Sequence, residues 1–358
     1  MTNPKQPTAV SISQFSCAVP HNYSETIQLA HGGGGRLTAR LLEQVFLPAF
    51  GNPALVLGHD GAMLDVSAGR LAFTTDAHVV RPLFFPGGNI GSLSIHGTVN
   101  DLLVCGAIPW ILSAAFILEE GFPIDDLKQI VNSMRDAAAR SNVSIVTGDT
   151  KVVDRGKGDG VFISTSAVGK IHPKVNIAPQ RAKAGDCVLI NGPIASHGIA
   201  VLSAREDLGL GGTVQSDSAP IDAFLLPAFD QFGDALHVLR DPTRGGVASA
   251  LNEIAASSGT HIELVETDIP IDEPVRGACE LLGLDPLYVA NEGKVLAIVA
   301  PDSAQRLLEL WRRTPGGEQA AIIGKVAAAP AGVVTQKSSI GGSRVVDMMT
   351  GEQLPRIC

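Results

Sequence analysis

The feature that most limits how this chain can fold is an alternation. From His31 onward, short apolar runs of strand length take turns with stretches whose apolar residues recur every three or four positions. Residues 54–57, 71–75, 110–118, 143–147 and 161–168 read as strands. Between them Ile124–Arg140 reads as a helix, because Ile124, Leu127, Ile130, Met134 and Ala137 share one face. Pro123 ahead of it and Asp125 and Asp126 in its first turn fit a helix start. The pattern then repeats, with strands expected near 187–191, 261–266 and 295–299 and helices near 199–207, 247–258 and 303–312. Alternation of this kind specifies packed layers of helix and sheet, an α/β (α+β) fold. Between residues 172 and 186 the pairs His172-Pro173, Ala178-Pro179 and Gly185-Asp186 punctuate a polar stretch. The expected organisation is a loosely held lead-in over 1–30, an N-terminal domain over 31–172 and a second domain over 173–330. A weakly patterned, Gly-rich segment, 331–358, then carries a mobile tail to Cys358.

Length and composition agree with two such units. The chain has 358 residues, 45% of them apolar, and a mean hydropathy of +0.22, enough for two well-buried cores. Aromatics at 4% and 39 glycines favour tightly turned units over an aromatic-rich binding surface. The net charge of -9 comes without a basic block, which argues against nucleic acid and anionic membranes as partners. An anionic ligand would need a metal or local donors to offset repulsion. The five cysteines (Cys17, Cys105, Cys187, Cys279 and Cys358) form no C-x-x-C pair, so neither a disulfide framework nor a thiolate zinc site is expected. Residues 1–30 lack a signal-peptide pattern, and the longest apolar run, 108–118, is interrupted by Pro109 and Ser113 and is too short to span a bilayer. The expected compartment is the cytoplasm. Cys358 is the last residue, so it is no prenylation signal. An exposed thiol on a movable segment risks oxidation; its presence suggests a group presented to a reaction partner.

Four aspartates stand where a metal–phosphate site could form: Asp60 in Gly58-His59-Asp60-Gly61, Asp76 in Thr74-Thr75-Asp76-Ala77, Asp101 after Asn100, and Asp149 in Thr147-Gly148-Asp149-Thr150-Lys151. Carboxylates with neighbouring amide oxygens are the hard ligands that Mg²⁺ takes together with nucleotide phosphates. Turn chemistry is the ordinary alternative at each position. Two Gly-rich runs, 31–36 and 84–92, precede helical stretches and could offer backbone N–H groups to phosphate, although neither closes as a P-loop. Lys151 could neutralise charge in a phosphoryl transition state, or it could be a solvated surface group. In Asp241-Pro242-Thr243-Arg244-Gly245-Gly246 the ordinary reading is a cap for a helix starting at Gly246. Glu292, in Asn291-Glu292-Gly293-Lys294, reads as turn chemistry unless the turn faces the other half.

Taken together, these segments resemble the HypE family of hydrogenase maturation proteins, carbamoyl dehydratases of the PurM-like ATP-binding superfamily. The resemblance runs from His31 to Cys358. It is carried by Phe84-Phe85-Pro86-Gly87-Gly88-Asn89-Ile90-Gly91-Ser92, His96-Gly97-Thr98-Val99-Asn100-Asp101, Thr147-Gly148-Asp149-Thr150-Lys151, Asp241-Pro242-Thr243-Arg244-Gly245-Gly246, Tyr288-Val289-Ala290-Asn291-Glu292-Gly293-Lys294 and the ending Pro355-Arg356-Ile357-Cys358. It implies a two-domain PurM-like fold and a homodimer whose N-terminal domains pair through their sheets. It also implies ATP and Mg²⁺, with Asp60, Asp76, Asn100, Asp101, Asp149, Thr150 and Lys151 at the nucleotide and the four aspartates at the metal; Asp241, Arg244 and Arg36 are further candidates. Cys358 would carry a carbamoyl group delivered by the carbamoyltransferase HypF. Dehydration of that thiocarboxamide gives a thiocyanate, whose cyanide passes to iron on a HypC–HypD complex for [NiFe]-hydrogenase. Lys151 and Glu292 fit the charge-stabilising and proton-accepting roles. The ten residues 349–358 reach at most ~33–36 Å when extended, enough to bring the thiol to a nucleotide cleft. Selenophosphate synthetase is a rival within the superfamily, but the surroundings of Cys17 lack its pattern, and a thiamine-phosphate kinase would not need Cys358. The non-enzymatic alternative is an ATP-binding scaffold whose tail docks a partner.

Overall fold

The computed structural model describes residues 25–32, 36–52, 69–206 and 213–348. The first sheet has four strands in the order β1 (Leu71–His78), β4 (Val161–Ile171), β2 (Ala107–Glu119) and β3 (Ser144–Val153). β4 pairs antiparallel with β1 and β2, and β3 runs parallel to β2. Two helices, α1 (Ile90–Val104) and α2 (Ile124–Arg140), pack against each other and cover one face of this sheet. α2 has the bounds its periodicity predicts, because one apolar stripe is enough for a helix that meets the core on one side. α1 shows no stripe and is buried nearly all round, since the sheet lies on one side and the second unit on the other. Its start is fixed by a reciprocal cap. Asn89 Oδ1 accepts from the N–H groups of Gly91 and Ser92 at 2.8 and 3.2 Å, and Ser92 Oγ accepts the Asn89 N–H at 3.2 Å.

Strand alternation gives the sheet an inner face against α1 and an opposite, outer face. Leu71, Phe73, Ile108 and Ile117 stand exposed among the described residues of β1 and β2, Phe73 at 70%.

The second sheet has seven strands in the order β11 (Ser343–Val345), β10 (Val333–Lys337), β7 (His261–Val265), β9 (Ala321–Ala327), β5 (Cys187–Ile190), β8 (Leu296–Val299) and β6 (Leu236–Arg240). Its helices are α3 (Ser196–Glu206), α4 (Asp222–Phe232), α5 (Gly246–Ser258), α6 (Glu273–Leu282) and α7 (Pro301–Arg313). α1 of the first unit meets α4 and β6 of the second, so one apolar cluster runs through both units, from Leu93 and Leu103 to Leu225, Phe229 and Trp311. A separate cluster lies within the second unit, around Ile190, Leu251 and Ile298.

Most expected elements are present, with ends moved by a few residues. The helical stretch 37–46 appears as Arg36–Leu41, continued through Leu42–Phe46 and Leu47–Phe50. β6, β9, α4 and α6 went unread. So did β10 and β11, in the segment read as weakly patterned: β10 pairs in parallel with β7, a partnership some seventy residues away that no local pattern announces. The expected strand 54–57, Cys17 and the lead-in through residue 24, Gly33–Gly35 of the first Gly-rich run, and the tail 349–358 lie outside the described residues. Among the described residues no helix is long and apolar enough to cross a membrane.

Candidate active site

Asp76 and Asp101 meet on the inner face of the first sheet. Asp76 points inward from β1 towards α1 at the glycine of His96-Gly97-Thr98. A Cβ on Gly97 would stand 3.2 Å from Asp76 Oδ2 and 3.2 Å from His78 Cε1, so the bare glycine leaves the carboxylate its space. Asp76 Oδ1 accepts the Ala77 N–H at 2.9 Å, and Oδ2 lies 3.5 Å from His78 Nε2. One turn on from Gly97, Asp101 accepts a 2.7 Å hydrogen bond on Oδ2 from Thr74 Oγ1. Strand and helix therefore fix two carboxylates at the edge of the sheet that faces the second unit.

The second unit completes the site from two loops. β6 ends at Arg240 and leads through Asp241 to Arg244, while Glu292 lies in the loop before β8. A cavity of about 260 Å³ lies between the units, lined by Asp76, His78 and Asp101 from one side and by Asp241, Arg244 and Glu292 from the other. The sequence left two readings open for Asp241 and Thr243, and the helix cap is not the one found. α5 starts behind Gly245 in a left-handed conformation (φ 70°) with no side-chain cap, and Asp241 turns to the cavity. Glu292 is likewise no exposed hairpin tip: it is 5% exposed and faces the other half.

Crowding sets the electrostatics. Burial pushes the Asp241 carboxyl up to about 7, and Asp101 adds to the shift while Arg240 opposes it. Asp101 is raised by burial and by Asp76, against the pull of the Thr74 hydrogen bond and of Arg240 and Arg244. Glu292 is raised well above the ordinary carboxylate range, first by burial and then by Asp241, Asp217, Asp76 and Asp101. Burial holds His78 below the usual imidazole range despite Asp76 beside it. Among the described residues no three His, Cys, Asp or Glu side chains form a ready-made metal cage. Mg²⁺ does not require one, since it is commonly held by one or two carboxylates together with substrate phosphates. Asp76 and Asp101, strained by mutual repulsion in a polar cavity, fit that mode, and the arginines Arg240 and Arg244 suit an anionic ligand.

Two of the expected residues stand away from this cavity. Asp149 and Lys151 lie on β3, and the register Asp149↔Ala115↔Ser164↔Ala77 puts Asp149 on the outer face, three strands from β1, about 14 Å away. They form an exposed pair at 2.9 Å. Lys151, with the Thr150 N–H at 2.8 Å, holds the Asp149 carboxyl below its usual range. Thr150 lies opposite the buried Phe116, on the inner face. Asn100, expected among the nucleotide contacts, is buried with its side-chain hydrogen bonds spent inside the protein. Arg36 opens the helix Arg36–Leu41, and its side chain is not described. Asp60 and Cys358 lie outside the described residues. Three participants were not anticipated: Asp217, Arg240 and His78. Of these only His78 carried a signal, being two positions from Asp76 and so on the same face of the strand.

The chain matches two family models, AIR synthase related protein, N-terminal domain, over residues 58–171, and AIR synthase related protein, C-terminal domain, over residues 183–337. It is 50% identical over 333 residues to carbamoyl dehydratase HypE of Azotobacter vinelandii, spanning 93% of this chain and 97% of that protein. A crystal structure of hydrogenase maturation protein HypE in complex with ATP aligns with a TM-score of 0.89 at 46% identity, covering 93% of this chain and 100% of that one. A chain from the crystal structure of a HypE–HypF complex aligns with a TM-score of 0.76 at 47% identity, covering 86% of this chain and 99% of that one.

Proposed function

The chain belongs to the HypE family of carbamoyl dehydratases of hydrogenase maturation, with the PurM-like fold, and from that premise we propose that it dehydrates a carbamoyl group carried on Cys358, at the expense of ATP, in the cavity between its two units. The observation that carries this reading is the cavity itself, where Asp76 and Asp101 of one unit face Asp241, Arg244 and Glu292 of the other.

A carbonyl oxygen is a poor leaving group. Transfer of the ATP γ-phosphoryl to the oxygen of S–C(=O)–NH₂ breaks the bond to ADP and, with loss of one N–H proton, leaves an O-phosphorylated imidate. Cleavage of the C–O bond then expels phosphate, and loss of the second N–H proton gives S–C≡N. The protein's share is alignment and charge stabilisation at the phosphoryl group and acceptance of protons near the tail. Asp76 and Asp101 would hold Mg²⁺, which neutralises phosphate charge when bound. Arg244 would steady the phosphates, and Glu292 would accept a proton, since a carboxylate with a raised pKa holds an abstracted proton better than an exposed one.

Lys151 and Asp149 fit the reaction only if the outer sheet face joins the nucleotide site. Leu71, Phe73, Ile108 and Ile117 on that face are what a second copy of this chain would cover, so we assign the homodimer to it. HypF is assigned as the carbamoyl donor, by analogy with the HypE–HypF complex, and a HypC–HypD complex as the acceptor. The cytoplasm is the compartment that keeps a carrier thiol reduced. ATP turnover should require prior carbamoylation and vanish in Cys358→Ala. Turnover that survives the substitution would show a kinase-type enzyme instead, and none in either protein would show an ATP-binding scaffold.

A further inference from the structure

Glu292 is held at both ends by side chains rather than by a helix or a sheet. Its N–H donates to Asp217 Oδ1 at 3.2 Å, and its carbonyl accepts from Asn100 Nδ2 at 3.0 Å. Asn100 reaches across from α1, 192 residues away in sequence and in the other unit. It gives its second amide hydrogen to Ala219 O at 3.0 Å and accepts the Ile221 N–H at 3.0 Å. At 1% exposure, it directs every one of these bonds to the second unit.

Asp217 sits in the loop between α3 and α4, and its neighbours are pinned from both units. Ser216 Oγ lies 2.8 Å from His197 Nδ1 of α3, Ser218 Oγ lies 3.0 Å from His96 Nδ1 of α1, and the Ser216 N–H donates to Pro86 O at 2.8 Å. Burial, with Arg140 nearby, holds His96 down at about 3, so this contact is made by a neutral imidazole. The loop packs against the Glu292 turn so closely that a Cβ on Gly293 would stand 2.0 Å from Asp217 O. Asp217 Oδ2 is buried without a hydrogen bond among the described residues; Lys294 Nζ stands 3.5 Å away, close enough for charge attraction only. Among the described residues this carboxylate has one directional partner, the Glu292 peptide.

We propose that Asn100 and Asp217 are positioning residues of the dehydration site, fixing the Glu292 peptide from both sides so that its carboxyl keeps a set distance from Asp101, the residue next to Asn100 in α1. The inference rests on the assignment of Glu292 as proton acceptor. It explains why an asparagine expected to touch ATP has its hydrogen-bonding groups turned the other way. Misplacement of a reacting group by about 1 Å can cost on the order of 10²-fold in rate, and the two side chains supply the restraint that the loop lacks.

The experiment is single-turnover cyanide formation by the carbamoylated full-length protein with saturating ATP, beside ATP affinity. Asn100→Ala and Asp217→Ala should each lose on the order of 10²-fold in rate while ATP affinity shifts less than about threefold. Asp217→Asn, which keeps an oxygen for the Glu292 N–H, should restore most of the rate. In a Glu292→Gln background Asn100→Ala should add little further loss, because the two residues act as one unit. An unchanged rate in both alanine variants, or full additivity with Glu292→Gln, overturns the proposal. So does an Asn100→Ala defect confined to ATP affinity, which would make Asn100 a nucleotide contact. Should Asn100→Ala fail to fold, the two Asp217 variants decide the same question. A full rate in Glu292→Gln alone would instead remove the proton-acceptor assignment beneath it.

Discussion

The two faces of the N-terminal sheet carry similar residues under opposite physical regimes. On the inner face Asp76 is packed with Asp101 against Asp241 and Glu292, burial and like charge raise three of these carboxyls, and the cavity has few compensating cations. On the outer face Asp149 and Lys151 pair in the open, each 64% exposed, and the aspartate is held below its usual range. In the sequence both are an Asp beside an apolar run. The contrast favours the inner face as the proposed site: repulsion there is energy that a metal and a phosphate would relieve, whereas the exposed pair is already satisfied.

The largest effect is expected for Glu292→Gln. Loss of a proton acceptor should slow single-turnover cyanide formation on the order of 10²–10⁴-fold; a full rate here, with loss in Lys151→Ala, would move the chemistry to the outer face. Next is Phe73→Glu. A charge on the apolar face proposed to pair two copies, repeated in both, should weaken self-association on the order of 10²-fold or more, and sedimentation should show monomers without ATP turnover. Active monomers would leave the outer face, Asp149 and Lys151 included, with no part in the reaction. Third, His96 ties α1 to the Asp217 loop as a neutral imidazole with its pKa lowered to about 3. An unfolded chain binds a proton there below pH 6.5, so stability falls as pH drops from about 6.5 towards 3, by about 1.4 kcal/mol per unit. Denaturant midpoints of His96→Gln should be lower at neutral pH yet flatter across that window; an acid limb as steep as the parent's would count against the buried neutral form. The smallest effect is expected for Asp149→Asn, under about 1 kcal/mol in thermal unfolding, because exposed ion pairs contribute little.

What could be read without the structure followed from locality. α2 was read to its ends because its stripe, Pro123 and the first-turn aspartates all lie within one segment. β1, β2, β4 and β5 announced themselves as apolar runs. The helix expected after the Gly-rich run 84–92 came without bounds, since α1 is covered on two sides and carries no periodic stripe, and β10 went unread, since its pairing is long-range. In the site, Asp76 and Asp101 were named as metal candidates and meet across one cavity. Asp217 was missed because Gln215-Ser216-Asp217-Ser218 reads as an ordinary polar loop, and only its packing against Gly293 gives it a partner.

The α/β class, the family and the residue types that the chemistry needs were legible in the chain, because these are matters of period, composition and motif. Which of those residues meet follows from packing. The pleat sent Asp76 inward and Asp149 outward, since neighbouring strand positions face opposite ways. The docking of α1 against the second unit brings the Asn100 side chain onto the Glu292 carbonyl.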